Sequence, residues 1–342
     1  TPGSLKARLC VEGREALYRF CAEHEIKHEQ CGKIVVATND DEMNRLKTLR
    51  DRGERNGLRD INQLSRTELR EREPHVEGVG GLFIRETGIV DFAKVAKAYA
   101  KLFHERGGKL RLGSPLRAAH RADDQVIVET NRKTYRCSTL ITCAGLQADR
   151  VARLCGTKPL VRIIPFRGEY DELVPEAMHL VNNLIYPVPD PRFPFLGVHF
   201  TRMIDGAIEA GPSALLSWAR HGYEGGSFSS RDVLDMLRFR GFWKMGHKNW
   251  RTALDELRRA KHPALRLALM QRLIPELQLN DFRPGRTGVR AMAVDPSGTM
   301  LDDFHILRDG PMLHVLSAPS PAATASLAIG KYIASLLAES DK

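Results

Sequence analysis

The chain has 342 residues, 42% of them hydrophobic, and its 52 Lys and Arg against 42 Asp and Glu give a formal net charge of +10. That length supports one large core or two interleaved ones, as in an ordinary soluble globular protein, and no apolar run approaches the roughly 20 residues needed to span a bilayer. The positive balance favours anionic partners, whether acidic metabolites, phospholipid surfaces or nucleic acid, without choosing among them.

In chain order, Leu5 to about His24 carries Leu5, Leu9, Ala16, Leu17 and Phe20 at helical spacing, and the β-branched run Gly32 to Thr38 reads as a strand. Asp40 to about Arg55 is a charged helix. Ser65-Arg66-Thr67-Glu68 has the capping-box spacing of a short second helix closed by Pro74. Gly78 to Gly81 reads as a loop before a strand from Leu82 to Arg85. Asp91 caps a helix over Phe92 to Arg106 that Gly107-Gly108 ends, and several short strands fill Lys109 to Cys143. Thr139 to Cys143 runs straight into Ala144-Gly145 and a helix at Leu146 to Leu154. This is the strand-glycine-helix turn by which α/β proteins approach a phosphate or a ring.

From Val161 to Gly211 the pattern turns to β, with strands expected at Arg162 to Leu173 and Phe195 to Arg202, and the segment reads as an antiparallel substrate domain. Arg231 to Leu273 is helical, basic and dotted with Phe239, Phe242, Trp243 and Trp250. A hairpin turns at Asp309-Gly310, and Pro321 opens a last helix from Ala322 to about Leu337. The six cysteines include no C-x-x-C pair and lie among apolar residues, the usage of a reducing compartment, so a cytoplasmic location is expected.

His24-Glu25-Ile26-Lys27-His28 is a literal H-E-x-x-H, but a helix ending there, with no third ligand at a recognisable spacing, reads as a polar terminus and not as zinc, so no metal is expected. G-x-G-x-x-G and P-loop fingerprints are both absent. The arginines carry more chemistry, because a guanidinium grips a carboxylate through two parallel hydrogen bonds. Arg167, Arg202 and Arg290 stand in β context, each against the plain alternative of a surface ion pair. His199 is a candidate base or hydroxyl anchor, against a structural role. Ser317 to Thr324 joins a strand to a helix through small residues, which lets a flat ligand approach the backbone, against the alternative of a structural turn.

The run Pro2 to Ala7, the segments Pro165 to Tyr170, Leu184 to Pro191, Phe195 to His199 and Thr201 to Gly206, Gly288 to Ala291 and Ala318 to Thr324 closely resemble L-2-hydroxyglutarate oxidases and dehydrogenases, which belong to the D-amino-acid-oxidase-like flavoproteins. The likeness extends over essentially the whole chain. It implies an α/β, Rossmann-like FAD-binding domain with an antiparallel β-sheet substrate domain. Residues 1–80 and 81–160 would supply FAD-binding segments interleaved with part of the substrate domain, 161–283 mainly substrate domain with the basic helical insert 231–273, and 284–342 the return. The implied reaction is oxidation of the hydroxy acid by hydride transfer to FAD, with oxygen or a quinone as the final electron acceptor. Arg290 and Tyr186 would grip a carboxylate, His199 would assist at the hydroxyl, and Arg167 and Arg202 would supply positive charge. Ala144, Gly145, Pro319, Ser320, Ala323 and Thr324 would lie against the cofactor.

Members of this family begin with a strand, a glycine-rich turn and a helix, a unit of about 30 residues, before the segment at which this sequence starts. The resemblance therefore implies weak or absent FAD binding and little activity by these residues alone, a separately encoded first segment being one partner that would supply the rest. Two competing readings stand beside the main one: a flavin oxidase of another small hydroxy or amino acid, and an inactive fragment or binding module. The basic aromatic stretch also suggests peripheral contact with an anionic membrane, on the inner face. Nucleic-acid binding is not expected, because acids interrupt the basic residues and no reading motif occurs.

Overall fold

The computed structural model describes residues 2–190 and 197–338, so Pro191, Phe195 and Leu196 of the expected β region lie outside the described residues. The largest sheet places Leu215–Leu216, Arg162–Leu173, Ile208–Gly211, His199–Arg202, Leu184–Pro187, Lys33–Ala37, Gly80–Ile84 and Ile61–Ser65 side by side, with Phe282–Val294 also paired to Arg162–Leu173. Leu184–Pro187 and Lys33–Ala37 run parallel, and the other pairings are antiparallel. The strand Lys33–Ala37 is apolar on both faces because both are covered. Ile34 and Val36 pack with Ile185, Phe200, Ile208 and Leu273, whereas Val35 and Ala37 pack with Leu46, Leu82 and Val188.

Helix ends follow their capping chemistry. Leu5–Glu23 begins where the Ser4 hydroxyl accepts from the Ala7 amide, and Asp40–Arg55 begins where Asn39 accepts from Glu42. At Arg66–Arg72 the capping box forms in full, the Ser65 hydroxyl accepting from the Glu68 amide while the Glu68 carboxylate accepts from the Ser65 amide. His24 is the C-cap of the first helix, Glu25 adopts a left-handed φ of 54°, and His28 already sits in a short strand, so the H-E-x-x-H run does not lie on one helical face.

Two expectations need correction. The strand expected from Leu82 starts at Gly80 instead: a Cβ at Gly81 would lie 2.9 Å from the Val35 carbonyl oxygen, so the glycines permit close backbone pairing where the sequence suggested a loop. The last helix spans Ser326–Ala338 and not Ala322 onward. Pro321 to Ala325 form turns closed by the Ala325 amide on the Pro321 carbonyl and the Ser326 amide on that of Ala323, and regular helix begins only after them.

A second sheet sets Met312–Ser317 between His305–Asp309, antiparallel, and Leu140–Thr142, parallel. The two parallel strands end on the same side, one leading to Cys143–Gly145 and the other to Ala318–Thr324. A buried hydrogen-bond chain fixes them. The Thr157 hydroxyl donates to Asp309 at 2.6 Å and so accepts from His314 Nε2 at 3.1 Å, leaving His314 Nδ1 to accept from the Thr142 hydroxyl at 2.9 Å. Burial holds the His314 pKa below its ordinary value, in keeping with this neutral tautomer. A three-stranded sheet of Leu116–Ala122, Gln125–Thr130 and Thr134–Cys137 completes this part of the fold.

The turn after Leu140–Thr142 is tied to the rest of the molecule by charge. Arg220, 2% exposed, donates to the Leu146 carbonyl at 2.7 Å and engages both oxygens of the fully buried Asp149. Its backbone amide donates to Asp232, which Arg150 also holds, and Asp235 joins Arg150, Arg153 and Arg220. Three arginines and three aspartates thus balance across the helices Ala148–Leu154 and Ser230–Leu237, as burial of so many charges demands.

Candidate active site

Strand alternation builds a polar band on one face of the large sheet. Ile185 and Phe200 are paired and face the core, so Tyr186 and His199 stand together on the opposite face. Their rings stack at 4.1 Å between centroids and 15° between planes. The Tyr186 hydroxyl is hydrogen-bonded to the Thr201 side chain, and burial pushes its pKa up. One strand further, Lys33 Nζ lies 5.1 Å from the centre of the Tyr186 ring. On the other side, Gly211 leaves room for Tyr170. A Cβ on Gly211 would lie 3.1 Å from the Tyr170 ring, and its φ of 147° is one that side chains rarely adopt. Arg290, on Phe282–Val294, places its charge within electrostatic reach of both Tyr170 and His199.

The chemistry of His199 follows from this setting. It is 8% exposed, and burial first, then the nearby charges of Lys33 and Arg290, push its pKa down to about 4 against its hydrogen bond to the Gly197 carbonyl, which works the other way. The imidazole is neutral at pH 7. Its Nδ1 lies 3.0 Å from the Gly197 carbonyl oxygen, which can only accept, so Nδ1 carries the proton and Nε2 is left as an acceptor. A neutral imidazole with a free acceptor nitrogen is suited to take a proton from a hydroxyl.

Of the residues singled out from sequence, Tyr186, His199 and Arg290 come together here. Arg202 does not: it shares the face of Phe200, opposite His199, and pairs with Glu29. Arg167 is held by Glu169 at 2.7 Å and by the Glu224 carbonyl at 3.2 Å. Lys33 and Tyr170 were not singled out. For Lys33 the signal was a lone cation opening an otherwise apolar strand. For Tyr170 none was visible beyond its place beside Arg167.

Ala144 and Gly145 and the turn from Pro319 to Thr324 stand at the ends of the two adjacent parallel strands, where open α/β sheets bind their ligands. Gly145 has a left-handed φ of 50° with open space beside its Cα, and Ser320 and Ala323 are exposed. Among the described hydrogen bonds, the amides of Ala322, Ala323 and Thr324 meet no protein acceptor. Small side chains and free donors on one open ledge fit the approach of a flat ring with carbonyl acceptors. These residues would hold the isoalloxazine of a flavin.

Among the described residues no helix is long and apolar enough to cross a membrane. The family model described as FAD dependent oxidoreductase (DAO) matches residues 1–336. The chain is 43% identical over 336 residues to the L-2-hydroxyglutarate dehydrogenase of Escherichia coli strain K12, covering 98% of this chain and 79% of that protein. It is 44% identical over 346 residues to the mitochondrial L-2-hydroxyglutarate dehydrogenase of Caenorhabditis elegans, covering 98% and 80%. Among solved structures, the dithionite-reduced L-alpha-glycerophosphate oxidase of Mycoplasma pneumoniae with FAD bound superposes with a TM-score of 0.75 at 21% identity, over 96% of this chain and 78% of that one. Glycine oxidase from Geobacillus kaustophilus gives 0.68 at 15%, over 99% and 80%.

Proposed function

The chain belongs to the DAO family of FAD-dependent oxidoreductases, and on that premise we propose that it oxidises L-2-hydroxyglutarate to 2-oxoglutarate. Identity above 40% to dehydrogenases of that acid, over nearly the whole chain, supports the substrate. The observation that carries the chemistry is the neutral His199 imidazole, its acceptor Nε2 set between two cations.

In this reading the carboxylate nearest the reacting carbon lies toward Arg290. His199 Nε2 takes the proton of the C2 hydroxyl as the C2–H bond breaks and the carbonyl forms. FAD, when bound, supplies the acceptor for the departing hydride. The stacked Tyr186 ring fixes the imidazole plane, and the anionic substrate offsets the repulsion that Lys33 and Arg290 exert on an imidazolium, which raises the basicity of His199 when the substrate is in place. Turnover of a panel of acids with an artificial electron acceptor tests the assignment. L-2-Hydroxyglutarate is expected to lead by at least two orders of magnitude in kcat/KM over L-lactate, glycine and L-glutamate, and a lead for any of those contradicts it.

A second reading concerns where the electrons go. Trp243 and Trp250 are 60% and 50% exposed on the helix Arg240–Lys261, with Lys244, Lys248 and Arg251 exposed beside them. Exposed indoles among cations suit the headgroup region of an anionic bilayer, where a quinone acceptor resides. Flotation with vesicles containing phosphatidylglycerol, lost on W243S/W250S, is expected; flotation unchanged by anionic lipid contradicts it.

A further inference from the structure

Lys33 is the first residue of a strand whose other four side chains are buried, and it has no acidic partner. No carboxylate among the described residues lies within ion-pair range of its ammonium, whose one packed neighbour of note is the Tyr186 ring. Among the described residues Cys10 is the one acidic group whose charge bears on it, and burial pushes the Cys10 thiol pKa up, so at neutral pH the sulfur is protonated and supplies no counter-charge. An ammonium taken out of water without an anion is costly. The same desolvation holds the Lys33 pKa below its ordinary value.

Lys33 also lines a cavity of about 440 Å³ that extends under the first helix past Tyr18. The charged walls of this cavity are Arg14, Lys33, Arg50, Arg52 and Glu86, and the single carboxylate is already engaged by Arg14 at 2.5 Å. The space is therefore electropositive. Tyr186 and His199 do not line it. Atoms of a bound acid that reach Lys33 are thus those removed from the carbon that reacts beside His199.

We propose that Lys33 binds the distal carboxylate of the substrate, the one that Arg290 does not hold, and so selects a dicarboxylic over a monocarboxylic hydroxy acid. This rests on the hydroxy-acid reading above and adds the residue that sets chain length and charge. The structural arrangement that carries it is an ammonium without a carboxylate partner among the described residues, packed against the Tyr186 ring and at the same time lining the electropositive cavity.

The test is equilibrium binding, by calorimetry, of 2-oxoglutarate and of 2-oxopentanoate, its analogue without the distal carboxylate, to the wild-type chain incubated with FAD and to K33M and K33R. Wild type is expected to prefer 2-oxoglutarate by at least tenfold. K33M is expected to erase that preference while holding 2-oxopentanoate within about twofold, and K33R to restore part of it; the unchanged monocarboxylate affinity shows that the fold and the rest of the site persist. Equal weakening of both acids by K33M, or an unchanged preference, overturns the proposal and leaves the dicarboxylate reading standing. A wild-type chain that does not prefer 2-oxoglutarate overturns the dicarboxylate reading, and the role of Lys33 with it.

Discussion

Tyr186 and His199 stack face to face across two neighbouring strands, with ring centroids 4.1 Å apart, and this contact fixes the plane of an imidazole that burial and the charges of Lys33 and Arg290 keep neutral. H199N keeps the bulk of a polar side chain and removes the acceptor nitrogen. It is expected to lower kcat by about 100- to 10,000-fold, the range of a positioned general base, with 2-oxoglutarate affinity changed by less than about fivefold. A near-wild-type kcat would show that proton removal does not pass through this residue.

Stability should depend on pH through the same ring. The folded-state pKa of His199 is pushed down to about 4, against an ordinary value of 6.5. Between those two values the unfolded chain binds a proton that the folded chain does not, so stability is intact above pH 6.5 and is lost as pH falls toward 4. The full shift corresponds to roughly 3 kcal/mol as an upper figure. Urea unfolding of wild type at pH 7.5 and 5 should show this slope, and H199F should flatten it; parallel slopes in the two proteins would rule the ring out as its source. His314, also held below its ordinary value by burial, adds to the slope with the same sign and persists in H199F.

The Arg220 cluster predicts a large loss from a single substitution. R220M leaves Asp149 fully buried with Arg153 as its remaining ion-pair partner among the described residues, and removing one member of a buried pair costs about 3–5 kcal/mol. A drop in urea midpoint of that size is expected, together with weaker FAD binding because the Leu146 carbonyl loses its tether. A change below about 1 kcal/mol would mean that water reaches the aspartate.

Gly145 separates a fold effect from a cofactor effect. No heavy atom stands within 4 Å of a Cβ placed there, but the left-handed backbone costs any other residue about 1–2 kcal/mol. G145V should weaken FAD binding at least tenfold, measured by fluorescence quenching, while the thermal midpoint falls only modestly. Equal FAD affinity would place the ring elsewhere.

Much of this was legible in the sequence, and the gaps have physical causes. Alternation and capping located the strand at Arg162–Leu173 and the helix starts at Ser65 and Asp91, because both signals are local. The late start of the last helix was not legible, since two prolines and small residues leave either a turn or a helix open until tertiary contacts decide. His199 and Arg290 were legible as residue types in β context and Tyr186 only through the resemblance, but their meeting was not legible, for strands distant in sequence become neighbours only through pairing. Lys33 escaped for the same reason: a lysine before an apolar strand reads as a solvated strand end, and only the sheet order, which sets Tyr186 beside it, shows it turned inward. Arg202 illustrates the converse, as a one-residue offset along a strand sends a side chain to the opposite face.

Oxidation of L-2-hydroxyglutarate by this chain is tested by mixing the purified, FAD-incubated chain anaerobically with the acid while recording the visible flavin spectrum and quantifying 2-oxoglutarate. Bleaching of the bound flavin is expected, with one 2-oxoglutarate formed per flavin reduced. Bound flavin that stays oxidised in the presence of saturating L-2-hydroxyglutarate, yet bleaches with a different hydroxy or amino acid, would contradict it.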